Sequence, residues 1–137
     1  GYYMAISKMK NTHLVPLATN TYDLIDKSQA VATVNSTAGW EAALRFKPSL
    51  VFGYAWYRHC PGVFQIAGSE SCKKIIEKIN NGYFKNNHQN ILNYLAAFEQ
   101  VSIRGYTDIY LKEGVKVSVE ESAENYFRAI SDALKEN

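Results

Sequence analysis

The stretch SQAVATVNSTAGWEAALRFKPSLVFG, residues 28–53, decides the fold of this chain. Its first β-prone run, 30–34, leads into a polar turn of Asn, Ser and Thr, the residue types of turns and helix caps. Apolar residues at helical spacing follow, and Pro48 ends that helix because proline restricts the residue before it and lacks an N–H. A second apolar run, 50–52, is typical of a strand. The pattern predicts a β-α-β unit with parallel strands.

The composition is that of an ordinary globular protein of 137 residues, with 47% apolar and 20% charged residues. This length predicts a single domain whose core needs neither disulfides nor a metal. The net charge of +2 is spread without a basic stripe, which argues against a nucleic-acid partner. Cys60 and Cys72 lack metal-ligand spacing, so we expect two free thiols and no metal site.

The sequence contains no apolar segment of the length that a membrane span requires. The longest apolar run, 50–56, is far shorter than the roughly 20 residues that cross a bilayer. The first ten residues lack the apolar core of a signal peptide. We therefore expect a cytoplasmic protein, with at most peripheral association at the inner face of a membrane. Met4 lies inside the chain, and from this we expect a piece of a longer protein.

Further elements flank the central unit. The run 13–18 predicts an edge strand, because Pro16 cannot donate to a sheet ladder. The continuous apolar character of 30–34 predicts a buried parallel strand, and one more strand is expected over 63–66. Amphipathic helices follow from 69, from about 87 and from 119 onward. The predicted helix caps are Asn20 or Thr21, then Ser69, and then Ser118 in a capping box with Glu121.

The order of elements predicts an α/β fold: a Rossmann-like, doubly wound parallel sheet followed by two C-terminal helices. Within a single domain, 1–137, the predicted core spans 1–85 and the helical extension spans 86–137. The last helix carries an apolar stripe over 119–134. We expect this stripe to pack against a sheet face or another surface, away from water.

The polar turn is the first part of the candidate site. Ser36 and Thr37 precede a helix, where hydroxyls, free N–H groups and the helix dipole favour a phosphate; ordinary helix capping is the alternative. Gly39 and Gly53 allow a ligand to approach the backbone closely, or they serve turns and packing.

The loop after the second strand is the other part of the candidate site. It lies at the carboxyl end of a strand, where open α/β sheets bind their ligands. Tyr54 and Tyr57 in this loop can stack on a base or a sugar, or they can belong to a hydrophobic lid over the helices.

The segment VNSTAGWEAALRFKPSLVFGYAWY resembles the bacterial capsular polysaccharide biosynthesis proteins, glycosyltransferases of GT-B fold that include the capsule β-Kdo transferases. The resemblance covers residues 20–66. The matching features are the Ser36-Thr37 pair, Gly39, Glu41-Ala42, Lys47-Pro48, Phe52-Gly53 and the aromatic run from Tyr54 to Tyr57.

This resemblance implies the nucleotide-sugar-binding half of a two-domain GT-B enzyme. Ser36 and Thr37 resemble the phosphate-contacting pair of CMP-sugar transferases, and Glu41 matches a Glu that holds the ribose. The alternative for Glu41 is a solvated residue in the first turn of a helix. The implied substrates are a nucleotide-sugar donor such as CMP-Kdo and a glycan acceptor, with no further cofactor. The implied donor-binding residues are Ser36, Thr37, Gly39, Glu41, Gly53, Tyr54 and Tyr57.

One departure from the family limits what the chain is expected to do. The family's His-Pro motif is not visible, since His13 precedes Leu14, and its catalytic acidic residues are not visible either. The catalytic residues are then expected in an N-terminal domain of the same protein, so that this chain alone is not catalytically competent. Two alternatives stay open: a non-catalytic interaction domain whose C-terminal helices dock to a partner, and a relative of the sugar-nucleotide epimerases.

Overall fold

The computed structural model describes residues 1–84, 88–106, 114 and 116–135. The fold is mixed α/β, and the chain divides into two compact units, Gly1–Tyr94 and Leu95–Asn137. The elements in chain order are α1 (Tyr2–Ser7), α2 (Thr21–Lys27), β1 (Val31–Thr33), α3 (Ala38–Leu44), β2 (Ser49–Val51), β3 (Val63–Gln65), α4 (Ser69–Asn80), α5 (His88–Val101) and α6 (Val119–Lys135).

The three strands form one parallel sheet in the order β1-β2-β3. Val31 pairs with Ser49, and Ser49 pairs with Val63, so the strands start level with one another. All three residues of the central strand β2 are buried. By contrast, β1 is an outer strand whose middle residue, Ala32, is exposed. The prediction of a strand here is confirmed, but the prediction that it is buried is wrong, since Val31 and Thr33 are only half-buried and Ala32 is exposed.

Helices lie on opposite faces of this sheet. Helix α3 packs on β1 and β2, with Gly39 close to the methyl group of Thr33. Ala32 faces the other way, since successive strand residues alternate. Together with Leu50 it lines an apolar groove whose far wall is Ile76 and Ile79 of α4. This arrangement confirms the predicted α/β class and is consistent with a partial Rossmann-like fold.

The core of the first unit is built around β2 and the loop that follows it. Its buried members are Ala43, Val51, Ala55, Tyr57, Cys60 and Val63, with Trp40 and Tyr94 packed against them. Three of these residues, Ala55, Tyr57 and Cys60, come from the loop 52–62. A loop that contributes to a core is fixed by that packing, which prepares the loop to hold functional groups in place.

The predicted strand at 13–18 is wrong. The segment 12–16 has no regular structure and 17–18 form a turn, closed by the Thr19 N–H, which donates to the Pro16 carbonyl at 3.0 Å. Leu14, Val15 and Leu17 are all exposed, so no apolar partner stabilises an extended conformation. A short run of β-prone residues forms a strand only where another strand accepts its ladder hydrogen bonds.

Two of the three predicted helix caps are confirmed. The Tyr22 N–H donates to Asn20 Oδ1 at 2.9 Å, and the Glu121 N–H donates to Ser118 Oγ at 3.0 Å. The third prediction is wrong, because α4 begins at Ser69 and Gly68 is its N-cap residue. There the hydroxyl of Ser71 accepts the N–H groups of Ala67 and Gly68, both at 3.1 Å.

The second unit contains α6 and the segment before it. The hydroxyl of Ser122 accepts the Tyr106 N–H at 3.1 Å, and Ser122 is buried. A Cβ added to Gly105 would lie 2.7 Å from Ser122 Oγ, so the backbone here approaches the polar face of α6 closely. The apolar stripe remains largely exposed, including Phe127, Ile130 and Leu134. The prediction that this stripe is packed away from water is therefore wrong.

The predicted start of the preceding helix, about residue 87, lies outside the described residues; α5 is described from His88. Ile91 is its buried residue, in line with the predicted apolar face. No helix in the described part of the chain has both the length and the apolar character that crossing a membrane requires.

Candidate functional site

The candidate site lies where the strands end. Since β1, β2 and β3 are parallel, their carboxyl ends meet at one edge of the sheet, here called the carboxyl edge. The loops that leave β1 and β2 are joined there, since the Gly53 N–H donates to the Val34 carbonyl at 2.7 Å. Gln65 at the end of β3 donates through Nε2 to the Gly53 carbonyl, also at 2.7 Å. The carboxyl edge is thus one hydrogen-bonded surface.

Asn35, Ser36 and Thr37, here called the NST turn, connect β1 to α3. The Ser36 N–H donates to Thr33 Oγ1 at 3.1 Å, and Ser36 Oγ accepts the Ala38 N–H at 3.2 Å. The predicted capping role is thereby confirmed for Ser36. Thr37 occupies the N-cap position but its hydroxyl makes no capping bond. Both residues are exposed at the carboxyl edge, so their hydroxyls are accessible to a ligand.

The first turn of α3 satisfies several of its own N–H groups. The Gly39 N–H donates to the Ser36 carbonyl at 3.2 Å, and the Glu41 N–H donates to the Thr37 carbonyl at 2.8 Å. The helix spans only Ala38–Leu44, so its dipole is short. An anion at the NST turn would therefore depend mainly on the hydroxyls of Ser36 and Thr37, and less on the free N–H groups and the helix dipole that the sequence also predicted to contribute.

Glu41 lies one turn along α3, on the same side as Thr37. Thr37 Oγ1 donates to Glu41 Oε1 at 3.3 Å, which is long for a bond between a hydroxyl and a carboxylate. Glu41 is half-buried, so its carboxylate is partly shielded from solvent. The residue predicted to hold a ribose and a residue predicted to hold a phosphate are thus in direct contact.

Both glycines of the predicted site are required by the packing of the protein itself. A Cβ on Gly39 would lie 2.5 Å from Tyr57 Oη and 2.7 Å from Ser49 Oγ. A Cβ on Gly53 would lie 2.8 Å from Val34 Cγ1 and 2.9 Å from the Val34 carbonyl oxygen. These contacts account for each glycine without a ligand, and the predicted approach of a ligand to them stays a prediction.

The two tyrosines of the predicted site have opposite surroundings. The side chain of Tyr54 is 76% exposed, and the guanidinium carbon of Arg58 lies 4.0 Å from its ring centroid. Tyr57 is fully buried, and its hydroxyl donates to the Ser36 carbonyl. Burial raises the pKa of Tyr57 above its usual value, so the hydroxyl keeps its proton at neutral pH. Tyr54 can stack its exposed ring on a ligand, whereas Tyr57 contacts the NST turn from within the core.

A cluster of aromatic rings packs beneath the NST turn and the loop 52–62. The ring centroids of Trp40 and Trp56 are 5.0 Å apart, and those of Trp56 and Tyr57 are 5.3 Å apart. Trp56 is half exposed, so the cluster reaches from the core to the surface. Trp40 is not among the residues predicted for the site. Its position between Gly39 and Glu41 was the available signal.

Two cations near the end of α3 are engaged in contacts within the protein. Arg45 Nη1 lies 2.7 Å and 2.9 Å from the two carboxylate oxygens of Asp26. Lys47 Nζ donates to the Ser28 carbonyl at 2.9 Å. The cation beside the exposed ring of Tyr54 is Arg58. Its Nη1 donates to the Ala55 carbonyl at 3.3 Å, and its position beside Tyr54 could bring positive charge to a ligand on the loop.

The described residues contain no group of three or more His, Cys, Asp or Glu side chains arranged to hold a metal ion. Within the same residues, Cys60 and Cys72 are free cysteines. Cys60 is buried, and burial raises the pKa of its thiol to about 11. Such a thiol is protonated at neutral pH and is a poor nucleophile.

The family of the chain follows from a match that covers most of its length. Residues 1–105 match the family described as capsule polysaccharide biosynthesis protein, and the matched segment contains the sheet, the NST turn and the aromatic loop. The chain therefore belongs to the capsule polysaccharide biosynthesis protein family. No curated protein and no solved structure matches the chain.

Proposed function

We propose that this chain binds the nucleotide-sugar donor of a glycosyltransferase that synthesises capsular polysaccharide. The observation that carries the proposal is the pair of exposed hydroxyls on Ser36 and Thr37, directly beside the carboxylate of Glu41. These groups lie at the carboxyl edge of a parallel sheet, where α/β proteins bind nucleotides. Membership in the capsule polysaccharide biosynthesis family supports the same kind of substrate.

Each group has a role in the proposed site. The hydroxyls of Ser36 and Thr37 donate to the donor phosphate, and the carboxylate of Glu41 accepts from the ribose hydroxyls. The long bond between Thr37 and Glu41 is readily exchanged for these contacts. Tyr54 offers its exposed ring for stacking, and Arg58 beside it supplies positive charge.

The proposed chemistry is electrostatic. When the bond between the sugar and the phosphate breaks, negative charge develops on the leaving nucleotide, and hydrogen-bond donors that are already in place stabilise it. We place the general base, the catalytic carboxylates and the glycan acceptor site in another domain of a GT-B enzyme. This chain alone then binds the donor without transferring it.

The identity of the donor and the cellular location of the protein also belong to this proposal. We propose CMP-Kdo as the donor, with no further cofactor, on the strength of the resemblance of the Ser36-Thr37 pair to that of CMP-sugar transferases. We also propose that the protein works in the cytoplasm, with at most peripheral contact with the membrane, and that it takes no nucleic-acid partner.

Calorimetric titration with CMP, UDP and GDP up to millimolar concentrations tests the site. We expect at least one nucleotide to bind, and Ser36→Ala to weaken that binding about tenfold, since a hydrogen bond to a charged group contributes about 1.5 kcal/mol or more. The matched control is Ser118→Ala, which removes the same kind of capping bond from α6. If no nucleotide binds, or if both variants bind like the wild type, the assignment fails.

A non-catalytic interaction domain is the second candidate, and a specific observation favours it. Large apolar side chains near the start of the chain are exposed: Tyr2, Tyr3, Met4, Met9, Leu14, Val15 and Leu17. Large exposed apolar side chains outside the C-terminal helices favour an interaction surface where they lie next to one another, as the rings of Tyr2 and Tyr3 do at 5.6 Å between centroids. Retention of a partner protein by the wild type, together with no binding of any of the three nucleotides, would favour this function over donor binding.

A further inference from the structure

We propose that Tyr57 is a positioning residue for the NST turn: its buried hydroxyl holds the Ser36 carbonyl and thereby orients the hydroxyls of Ser36 and Thr37 toward a phosphate. This inference rests on the proposed function, because it assigns the means by which the phosphate contacts of that site are held in place. It changes the role of Tyr57 from a ligand contact to a support of the ligand contacts.

The surroundings of Tyr57 exclude direct stacking on a ligand. Its side chain is 0% exposed, while Tyr54 and Trp56 in the same loop are exposed. Trp56 packs edge-on against the Tyr57 ring, with an interplanar angle of 88°, and Trp40 lies 6.1 Å from it between centroids. A ring enclosed in this way has one defined direction for its hydroxyl, and that direction is the Ser36 carbonyl.

The bond to Ser36 connects parts of the chain that are 21 residues apart. The other hydrogen bonds of the NST turn are local, since Ser36 bonds with Thr33, Ala38 and Gly39. The bond to Thr33 holds the turn to its own strand β1, whereas the bond from Tyr57 holds the Ser36 carbonyl to the loop after β2. The carbonyl of Ser36 also belongs to the peptide plane that leads into Thr37, so holding it restricts the backbone from which both side chains extend.

Gly39 provides the space that this contact needs. The position of a Cβ on Gly39 is 2.5 Å from Tyr57 Oη and 2.7 Å from Ser49 Oγ, so any side chain there would displace the Tyr57 hydroxyl. Ser49 is itself fully buried, and its hydroxyl has no hydrogen-bond partner among the described residues. Removing the Tyr57 hydroxyl would leave the Ser36 carbonyl beside this packed site without its long-range donor.

The test compares Tyr57→Phe with the wild type in nucleotide titrations followed by amide NMR. The substitution removes the hydroxyl and keeps the ring, and Tyr83→Phe is the matched control on an exposed tyrosine. CMP, UDP and GDP are each compared with the nucleosides cytidine, uridine and guanosine. We expect Tyr57→Phe to weaken nucleotide binding about fivefold, the value of one hydrogen bond, with nucleoside binding unchanged. Tyr83→Phe should bind like the wild type.

Two results overturn the inference while leaving the proposed function standing. One is a wild type that binds a nucleotide together with a Tyr57→Phe variant that binds it equally well. The other is an equal loss of nucleotide and nucleoside affinity, which indicates general loosening rather than misplaced phosphate contacts. If the wild type binds none of the nucleotides, the proposed function fails first, and the inference fails with it.

A second variant disturbs the same contact while keeping the Tyr57 side chain. Gly39→Ala keeps Tyr57 but pushes its hydroxyl away from the Ser36 carbonyl, and it should reproduce the selective loss of nucleotide affinity. In the absence of ligand, both variants should shift the amide signals of 35–38 more than those of β3. Unchanged signals in the NST turn would show that Tyr57 does not hold it, and would overturn the inference.

Discussion

Ser36 uses each of its polar groups inside the protein before any ligand is present. Its N–H donates to Thr33, its carbonyl accepts from Tyr57 and Gly39, and its hydroxyl accepts the N–H of Ala38. The hydroxyl can still donate its proton outward, because a serine oxygen accepts and donates at the same time. A helix cap and a phosphate contact are therefore compatible functions of this one residue.

A substitution of Glu41 can separate ribose binding from phosphate binding. We expect Glu41→Gln to weaken binding of the favoured ribonucleotide about tenfold, since an amide is a poorer acceptor for ribose hydroxyls than a carboxylate. The 2′,3′-dideoxy form of that nucleotide lacks both hydroxyls, so its affinity should change by less than about twofold. Isothermal titration measures both affinities.

The control for Glu41 is Glu77→Gln, an exposed glutamate of α4 outside the proposed site. Equal losses for the ribonucleotide and its dideoxy form would contradict a ribose role. They would indicate that Glu41 acts through the conformation of Thr37, to which it is hydrogen-bonded.

Among the secondary-structure elements, α2 and α3 are joined by a salt bridge. Arg45 at the C-cap of α3 contacts both carboxylate oxygens of Asp26 in α2, and its guanidinium carbon lies 4.5 Å from the centroid of the Tyr22 ring. Both charged side chains are partly exposed, at 38% and 51%. Exposed pairs contribute little, so the contact orients α2 more than it stabilises the fold.

Asp26→Asn tests whether the salt bridge between Arg45 and Asp26 contributes little to stability. We expect the free energy of unfolding to fall by about 0.5 kcal/mol at low salt, because an exposed pair is screened by solvent. In about 1 M NaCl the difference should disappear, since ions screen the remaining attraction. Urea unfolding measures both values, and Glu70→Gln, which breaks an exposed pair inside α4, is the control. A loss above about 2 kcal/mol would contradict a surface pair and indicate a structural one.

For the molecule as a whole, we expect the free energy of unfolding to fall at alkaline pH, because a thiol and two phenol groups with raised pKa values are protonated in the folded state. Burial raises the pKa of the Cys60 thiol from its ordinary value of 9.0 to about 11. Burial also raises the pKa values of Tyr57 and Tyr94. The unfolded chain releases these protons at lower pH than the folded chain does. The folded state is therefore favoured fully below about pH 9 and loses stability as the pH rises toward 11.

The contribution of Cys60 to stability can be isolated from the slope of the unfolding free energy against pH. We expect the unfolding free energy of the wild type to fall by up to about 3 kcal/mol between pH 9 and 11 from this thiol. Cys60→Ala should flatten the fall between pH 9 and 10, whatever its effect on absolute stability at pH 7. Cys72→Ala, at a half-buried position, is the control and should keep the wild-type slope. The same slope in all three proteins would contradict a buried, protonated Cys60.

The central β-α-β unit could be predicted from the sequence because its signals are local. The polar turn fixes the start of α3, and β-prone runs on either side become β1 and β2. The end predicted at Pro48 is too late, because α3 ends at Leu44 and Phe46 already has a positive φ of 58°. The caps at Asn20 and Ser118 follow from the same kind of signal, since a cap depends on the residues two or three positions away. Ser69 was misassigned because Ser71 serves the same purpose from inside the helix.

The arrangement of the candidate site could be predicted only in part. The sequence placed the NST turn, Glu41 and the aromatic loop near one another, because parallel strands end at one edge of the sheet. It could not distinguish Tyr54 from Tyr57, three residues apart in the same loop. Which of them is buried depends on Trp40 and on the core around Val51, neither of which is adjacent to them in the chain.

The sequence by itself determined the α/β class, the position of the NST turn and the family resemblance, since these depend on residue order over short distances. Tertiary structure alone decided that β1 is an outer strand, that 13–18 forms no strand, and that Tyr57 supports the turn from inside. The physical reason is that burial and long-range hydrogen bonds arise from contacts between distant segments. A local pattern cannot specify which of several apolar residues obtains those contacts.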